Sequence, residues 1–189
     1  MGIAGTLNAG KDTGAEHLVQ RHSFMHVSTG DVLRTEASRY GLGTDRNTLI
    51  DIGVKLRREY GSQGALVIMA IEQWQDQRER YMGGLVVTGM RAIGEAAEIP
   101  ARHGKLIFVD APIETRYKRM VARQRDAEAT QTMEEFAAHD HLEFVGVPDD
   151  PTRPNLSAIK AISDRVIFND RSDTELLFSS IDRTVGVGH

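Results

Sequence analysis

The 189-residue chain contains no cysteine. Disulfide staples, thiolate zinc sites and thiol nucleophiles are thereby excluded, and the composition accords with a cytoplasmic location. Basic residues are in deficit, 23 Lys and Arg against 27 Asp and Glu, which leaves a net charge of −4. A field of that sign repels polyanions, so no nucleic-acid partner is expected. Long apolar runs are missing as well. No stretch approaches the roughly 20 apolar residues of a membrane-spanning helix, and no membrane association is expected. Nor is a signal peptide, because a glycine-rich motif begins at Gly5, where an apolar segment would have to continue. Only four residues precede that motif, so the natural start is expected a little upstream.

What the chain does have is an ordinary α/β composition. Apolar residues make up 40% and charged residues 26%, enough to bury one core at this length. Five short apolar or β-branched runs, at 1–4, 25–28, 85–88, 106–110 and 165–168, alternate with helical patterns. That alternation is the mark of repeated βαβ units and a parallel sheet. The runs Leu85-Val86-Val87 and Leu106-Ile107-Phe108-Val109 are continuously apolar, as strands buried on both faces must be. Helices are expected over 11–21, 49–60, 64–81 and 113–123, with Gly61 and Gly83-Gly84 as breaks and Pro112 in a favoured opening position. Thr132 with Glu135 and Ser172 with Glu175 form the spacing of two capping boxes. Residues 147–155 hold three of the five prolines and predict an exposed loop.

The most specific pattern is Gly5-Thr6-Leu7-Asn8-Ala9-Gly10-Lys11-Asp12-Thr13. It has the G-x-x-x-x-G-K spacing, between a strand and a helix, that a phosphate loop requires. Glycines let the backbone wrap closely, so the N–H groups from Asn8 through Ala9, Gly10, Lys11 and Asp12 to Thr13 can converge on phosphate oxygens. The following helix adds the positive end of its dipole, and Lys11 reaches the β- and γ-phosphates. The hydroxyl that usually follows the lysine directly is displaced by Asp12 to Thr13, which becomes the candidate for phosphate and magnesium contact.

The G-K-x-T form resembles adenylate kinases, and G-K-D-T looks like phage deoxynucleoside monophosphate kinases. Val27-Ser28-Thr29-Gly30-Asp31-Val32-Leu33-Arg34 is similar to the S-T-G-D-x-L-R stretch of adenylate kinases, and Thr88-Gly89-Met90-Arg91 to their D-G-F-P-R motif. Residues 163–170 look like the last strand of dephospho-coenzyme A kinases and of archaeal adenylate-kinase-related ATPases. The resemblance implies a single three-layer P-loop NTPase domain over 1–189, with a five-stranded parallel sheet in the order 2-3-1-4-5. An acceptor-binding excursion would occupy about 31–62 and a short lid about 123–150. It further implies ATP and Mg²⁺ as cofactors and a small-molecule nucleotide as substrate, and it leaves a homodimer open. Thr29, Gly30, Arg34, Arg57, Gly89 and Arg91 would then hold the acceptor. Arg123 and Arg125 would serve the ATP side, and the loop around Asn169 the adenine. Three departures stand out: Thr88 replaces an aspartate, the proline of G-F-P-R is absent, and the lid carries few arginines.

Chemistry separates two acceptor classes. A phosphate acceptor is already ionised and needs cations; a sugar hydroxyl needs a carboxylate base within hydrogen-bond reach. Arg34 and Arg91, with Arg57 beside them, favour phosphate and a nucleoside monophosphate kinase-like reaction catalysed by Lys11, Asp31, Arg91 and Arg123. In that reading Asp31 orders magnesium waters in place of the missing aspartate; alternatively it acts as the base of a dephospho-coenzyme A kinase-like reaction on a sugar hydroxyl. A slow ATPase that regulates by binding nucleotide is the third alternative. The seven histidines show no metal-ligand spacing. Trp74 is expected in the core.

Overall fold

The computed structural model describes residues 1–123, 131–146, 153–170 and 174–186. Five strands, β1 (Gly2–Gly5), β2 (Phe24–Ser28), β3 (Gly84–Thr88), β4 (Leu106–Asp110) and β5 (Arg165–Phe168), form one parallel sheet in the order β2-β3-β1-β4-β5. This is the expected order. The described helices are α1 (Lys11–His22), α2 (Thr29–Arg39), α3 (Arg46–Tyr60), α4 (Ala65–Gln75), α5 (Ile93–Ala101), α6 (Ile113–Ala122), α7 (Met133–Val145), α8 (Leu156–Ile162) and α9 (Glu175–Val185).

The unbroken apolar strands are explained by two separate cores. Ala4, Leu85, Val87, Leu106 and Phe108 face one side, with Leu56 of α3, Leu66 of α4, Ile99 of α5 and Ile159 of α8. Ile3, Val86, Ile107 and Val109 face the other, with Leu18 of α1 and Leu177 and Ile181 of α9. Side chains alternate between faces along a strand, so both sets must be apolar. In the edge strand β5 only Ile167 is buried, while Phe168 is 62% exposed.

Helix boundaries depart from expectation where local signals compete. The helix over 64–81 shortens to α4, because apolar periodicity stops at Trp74 and residues 76–80 are polar turns. Trp74 packs against the first core and its indole N–H donates to the Tyr81 carbonyl at 3.4 Å. Helix α5 carries Gly94 and Pro100, which hide its Ala92, Ala96 and Ile99 stripe. The Thr132 and Glu135 capping box is present at α7. Ser172, half of the other one, lies outside the described residues, and α9 starts after Thr174.

Candidate active site

The phosphate loop leaves β1 at Gly5 and enters α1 at Lys11, at the carboxyl edge of the sheet. Gly10 has φ 106°, a left-handed conformation that a side chain resists. A Cβ there would also lie 2.5 Å from the Asn169 amide nitrogen. The sequence therefore had to place glycine at this turn. Asn8 also takes a positive φ, 59°, which asparagine tolerates better than most residues.

Contacts within the loop leave cationic and donor groups poised. Lys11 Nζ donates to the Thr6 carbonyl at 2.6 Å, folding back onto its own loop. Burial lowers its pKa from the usual 10.5 to about 8, partly opposed by Asp12, which stands exposed at the start of α1. Asn8 Oδ1 accepts from Arg123 Nη1 at 3.3 Å, whereas Asn8 Nδ2 is buried without any hydrogen-bond partner. A buried amide donor left unpaired costs about 1–3 kcal/mol, which a bound acceptor would offset. Thr13, half-buried, lies within the first turn of α1.

Asn169 braces the loop: its Nδ2 donates to the Ala9 carbonyl at 2.7 Å, and its backbone carbonyl accepts from Arg119 at 3.0 Å. The resemblance put this residue near adenine; its amide is engaged with the loop backbone. Asp110 ends β4, where Oδ1 accepts from the Thr6 hydroxyl at 2.8 Å and Oδ2 pairs with Lys160 at 3.0 Å. Arg116 is buried and forms a two-pronged pair with Asp140 of α7 at 2.5 and 2.8 Å, while its Nε donates to the Ala111 carbonyl. Sequence reasoning missed Asp110, although a carboxylate closing an apolar strand was a usable signal. It also missed the Arg116 and Asp140 pair, for which no local signal exists.

Facing the loop, β2 and β3 end in register at Ser28 and Thr88. Ser28 caps α2, accepting from the Gly30 amide at 3.3 Å, and Thr29 is buried beneath. Gly89 has φ 80°, and a Cβ on it would fall 2.9 Å from the Ser28 and Thr29 hydroxyls, so the turn at this wall also requires glycine. The Thr88 hydroxyl hydrogen-bonds His26 Nε2 at 2.8 Å, and burial holds His26 below its ordinary pKa.

Three arginines line this wall, each matched to one carboxylate. Arg34 pairs with Asp31 at 2.6 Å, both more than half exposed. Arg91, 53% exposed, pairs with the largely buried Glu143 of α7 at 2.6 Å. Arg57 is less free: it pairs with buried Glu95 at 3.0 Å, and Glu95 also accepts from the Arg91 amide at 3.1 Å. Arg91 and Glu143 act electrostatically on Lys11, and Asp12 and Asp31 both act on His26. Arg91 and the loop are tied to the same helix, because Arg116 bonds both the Leu7 carbonyl and Asp140 of α7 while Arg91 pairs with Glu143. Arg125 lies outside the described residues.

The arrangement sets a glycine-containing loop at the start of α1 beside a row of ion pairs, and comparisons with known proteins bear on the fold that carries it. A family model described as an AAA domain matches residues 2–137. A UPF0200 protein of Thermococcus gammatolerans is 27% identical over 177 residues, covering 92% of this chain and 87% of its own length. Among solved structures, TT1252 from Thermus thermophilus aligns with a TM-score of 0.61 at 17% identity, over 100% of this chain and 97% of its own. Shikimate kinase from Bacteroides thetaiotaomicron aligns with a TM-score of 0.51 at 15% identity, over 96% and 93%. At such identities the two structures speak for the fold alone. The family match spans well over half of the chain, and the chain accordingly belongs to this AAA-domain family, built on a P-loop kinase-like fold.

Proposed function

We propose that the protein is an ATP-dependent phosphotransferase of the nucleoside or deoxynucleoside monophosphate kinase kind, moving the γ-phosphoryl group onto a small phosphorylated acceptor. The observation that carries this reading is the pairing of Arg91 with Glu143 within electrostatic range of Lys11, with Arg34 paired to Asp31 at the start of α2. An acceptor phosphate can exchange with Asp31 and Glu143 at these guanidinium groups without leaving a cation bare. Loop amides from Asn8 to Thr13, the Asn8 side-chain amide and Lys11 would hold the ATP phosphates, with Arg123, which bonds Asn8, beside them. Thr29, Gly30 and Gly89 would shape the acceptor pocket. Arg57 supports it by neutralising Glu95, which in turn fixes the Arg91 backbone.

Magnesium bound with the nucleotide would supply neutralisation of the phosphate charge. Thr13 and, through water, Asp31 are the residues that would hold it. Because the acceptor is already an anion, this chain supplies positioning and charge rather than a base. Lys11 and the arginines keep two anions within reach and stabilise the charge that spreads over the transferring group.

Arg34→Ala is the test. Loss of a charge-assisted hydrogen bond worth roughly 1.5–3 kcal/mol should raise the acceptor KM by about 10- to 150-fold, with the ATP KM little changed. The fold should tolerate it, since an exposed pair contributes about 0–1 kcal/mol. Kinetics over a panel of nucleoside monophosphates, with dephospho-coenzyme A and phosphate release in parallel, make the measurement. Should Arg34→Ala prove harmless while Asp31→Asn costs about 10²–10⁴ in kcat with no rescue by Mg²⁺, the acceptor is a hydroxyl and Asp31 its base. Phosphate release without transfer to any acceptor would mean a slow ATPase.

A pH dependence follows from Lys11. Its pKa of about 8 in the free protein lies below the value that bound phosphates would impose, so binding above pH 8 takes up a proton. ATP affinity is expected to be level below pH 8 and to fall as pH rises through it, by roughly tenfold per unit. Calorimetry in buffers of different ionisation heat reads the proton uptake directly. Affinity unchanged to pH 9.5 would contradict it.

A further inference from the structure

The spacing of the histidines along the chain concealed a cluster that the fold assembles. His17 and His22 lie five residues apart, about 140° around a helix, and neither points to the other by periodicity alone. The fold brings Asp182 of α9 between them. His17 Nε2 lies 2.8 Å and His22 Nε2 3.0 Å from the same oxygen, Asp182 Oδ1. One ligand atom from each of the three falls within 4.8 Å of the others. We propose that these residues form a site for a divalent transition-metal ion of the zinc class, with water completing a tetrahedron.

Four features favour an ion over mere hydrogen bonding. The donor set is two imidazole nitrogens and one carboxylate oxygen, which suits zinc and its neighbours rather than magnesium or calcium, ions that take oxygen ligands. The ligand spacing is nearly right. Bonds of about 2.0–2.1 Å place the corners of a tetrahedron about 3.3 Å apart, so the two spacings to Asp182, 2.8 and 3.0 Å, require a few tenths of an ångström of opening, and the two imidazole nitrogens lie within 4.8 Å of each other. Side-chain exposures of 11%, 21% and 23% leave a covered site with a path for water and ions. Preorganisation is visible too: the His17 ring stacks on Phe178 at 4.2 Å and 5° and meets the His22 ring edge-on at 5.5 Å.

The field at this place also suits a cation. Helix α1 ends at His22 and α9 ends one turn beyond Asp182. Both helices descend from the carboxyl edge of one parallel sheet, so their negative ends meet here. The cluster therefore lies at the opposite end of α1 from the phosphate loop. An ion bound there would fasten α9 to α1, and it would take no part in phosphoryl transfer.

The experiment uses the full chain, free of any affinity tag, stripped with chelator and kept without nucleotide. Titration with Co²⁺ should give the visible absorption of a tetrahedral N/O site, saturating at one ion per chain. Zn²⁺ should displace it, and millimolar Mg²⁺ should not. Saturating Zn²⁺ should raise the melting temperature, as any ligand of the native state does. His22→Gln and the nearly isosteric Asp182→Asn should each weaken Zn²⁺ affinity at least tenfold and abolish the thermal shift, leaving ATP affinity unchanged. If His22→Gln fails to fold, Asp182→Asn alone decides. No stoichiometric uptake at about 100 μM Zn²⁺, or equal uptake by wild type and Asp182→Asn, overturns the proposal.

Discussion

Replacing Lys11 with Met is expected to cut phosphoryl transfer by about 10³-fold or more while raising, not lowering, the melting temperature. The two effects share one cause. Lys11 donates only to the Thr6 carbonyl in the contacts seen, and burial lowers its pKa to about 8. Its folded pKa thus lies below its unfolded value of about 10.5, so the folded state disfavours the charged form. That destabilisation is fully present below pH 8 and is relieved as pH rises toward 10.5. Methionine keeps the aliphatic stem and removes the charge. The lost hydrogen bond takes back about 1 kcal/mol, leaving a net gain of a few degrees at 2–4 °C per kcal/mol for a chain of this size. Thermal unfolding at pH 7 and pH 10 checks the cause, because the gap between variant and wild type should narrow at the higher pH. Near-native turnover would sink the assignment of the phosphate loop. A lower melting temperature at both pH values would mean that the lysine serves the fold.

The legibility of this protein follows the range of its interactions. The phosphate loop is local: nine consecutive residues carry the turn, the lysine and the helix start, and the need for glycine at Gly10 arises within the turn itself. The strands were equally plain, since burial on both faces forces unbroken apolar runs such as Leu106-Ile107-Phe108-Val109. Of the carboxylates that pair with the arginines, Asp31 was legible three residues from Arg34, whereas the other two were not visible because each comes from far along the chain. Glu95 is 38 residues from Arg57, and Glu143 is 52 from Arg91. Asp182 lies more than 150 residues from His17 and His22. Helix α5 was hidden for a different reason, the two poor helix formers Gly94 and Pro100 in nine residues.

Helix α7 presents Asp140 and Glu143, one turn apart and so on one face, to Arg116 and Arg91. The two pairs differ in what they can do. Arg91 is half exposed and can trade Glu143 for a ligand, whereas Arg116 is buried and two-pronged on Asp140. Glu143 is as buried as Asp140, but His139 lies 3.6 Å from it and can face it when the half-exposed Arg91 turns to a ligand. The pair of the buried Arg116 is the costlier to break, which makes Arg116 the anchor that holds α7 over the loop.

Arg116→Ala is therefore expected to destabilise the protein by about 3–5 kcal/mol, because it leaves the Asp140 carboxylate buried without a partner. Urea unfolding should show a lower midpoint with an unchanged slope, and the melting temperature should fall by roughly 6–20 °C. The double replacement Arg116→Met with Asp140→Leu separates the worth of the pair from the cost of orphaning one half. Two apolar side chains of similar volume avoid the desolvation of both charges, so the double variant should recover most of the lost stability. Function should not recover with it. Arg116 Nη1 reaches the Leu7 carbonyl at 3.5 Å and its Nε bonds the Ala111 carbonyl, so the guanidinium ties α6 to the phosphate loop. A double variant that is stable but binds ATP less tightly would assign Arg116 to positioning the loop. If instead Arg116→Ala costs under about 1 kcal/mol, Asp140 reaches water once unpaired and α7 is not anchored there.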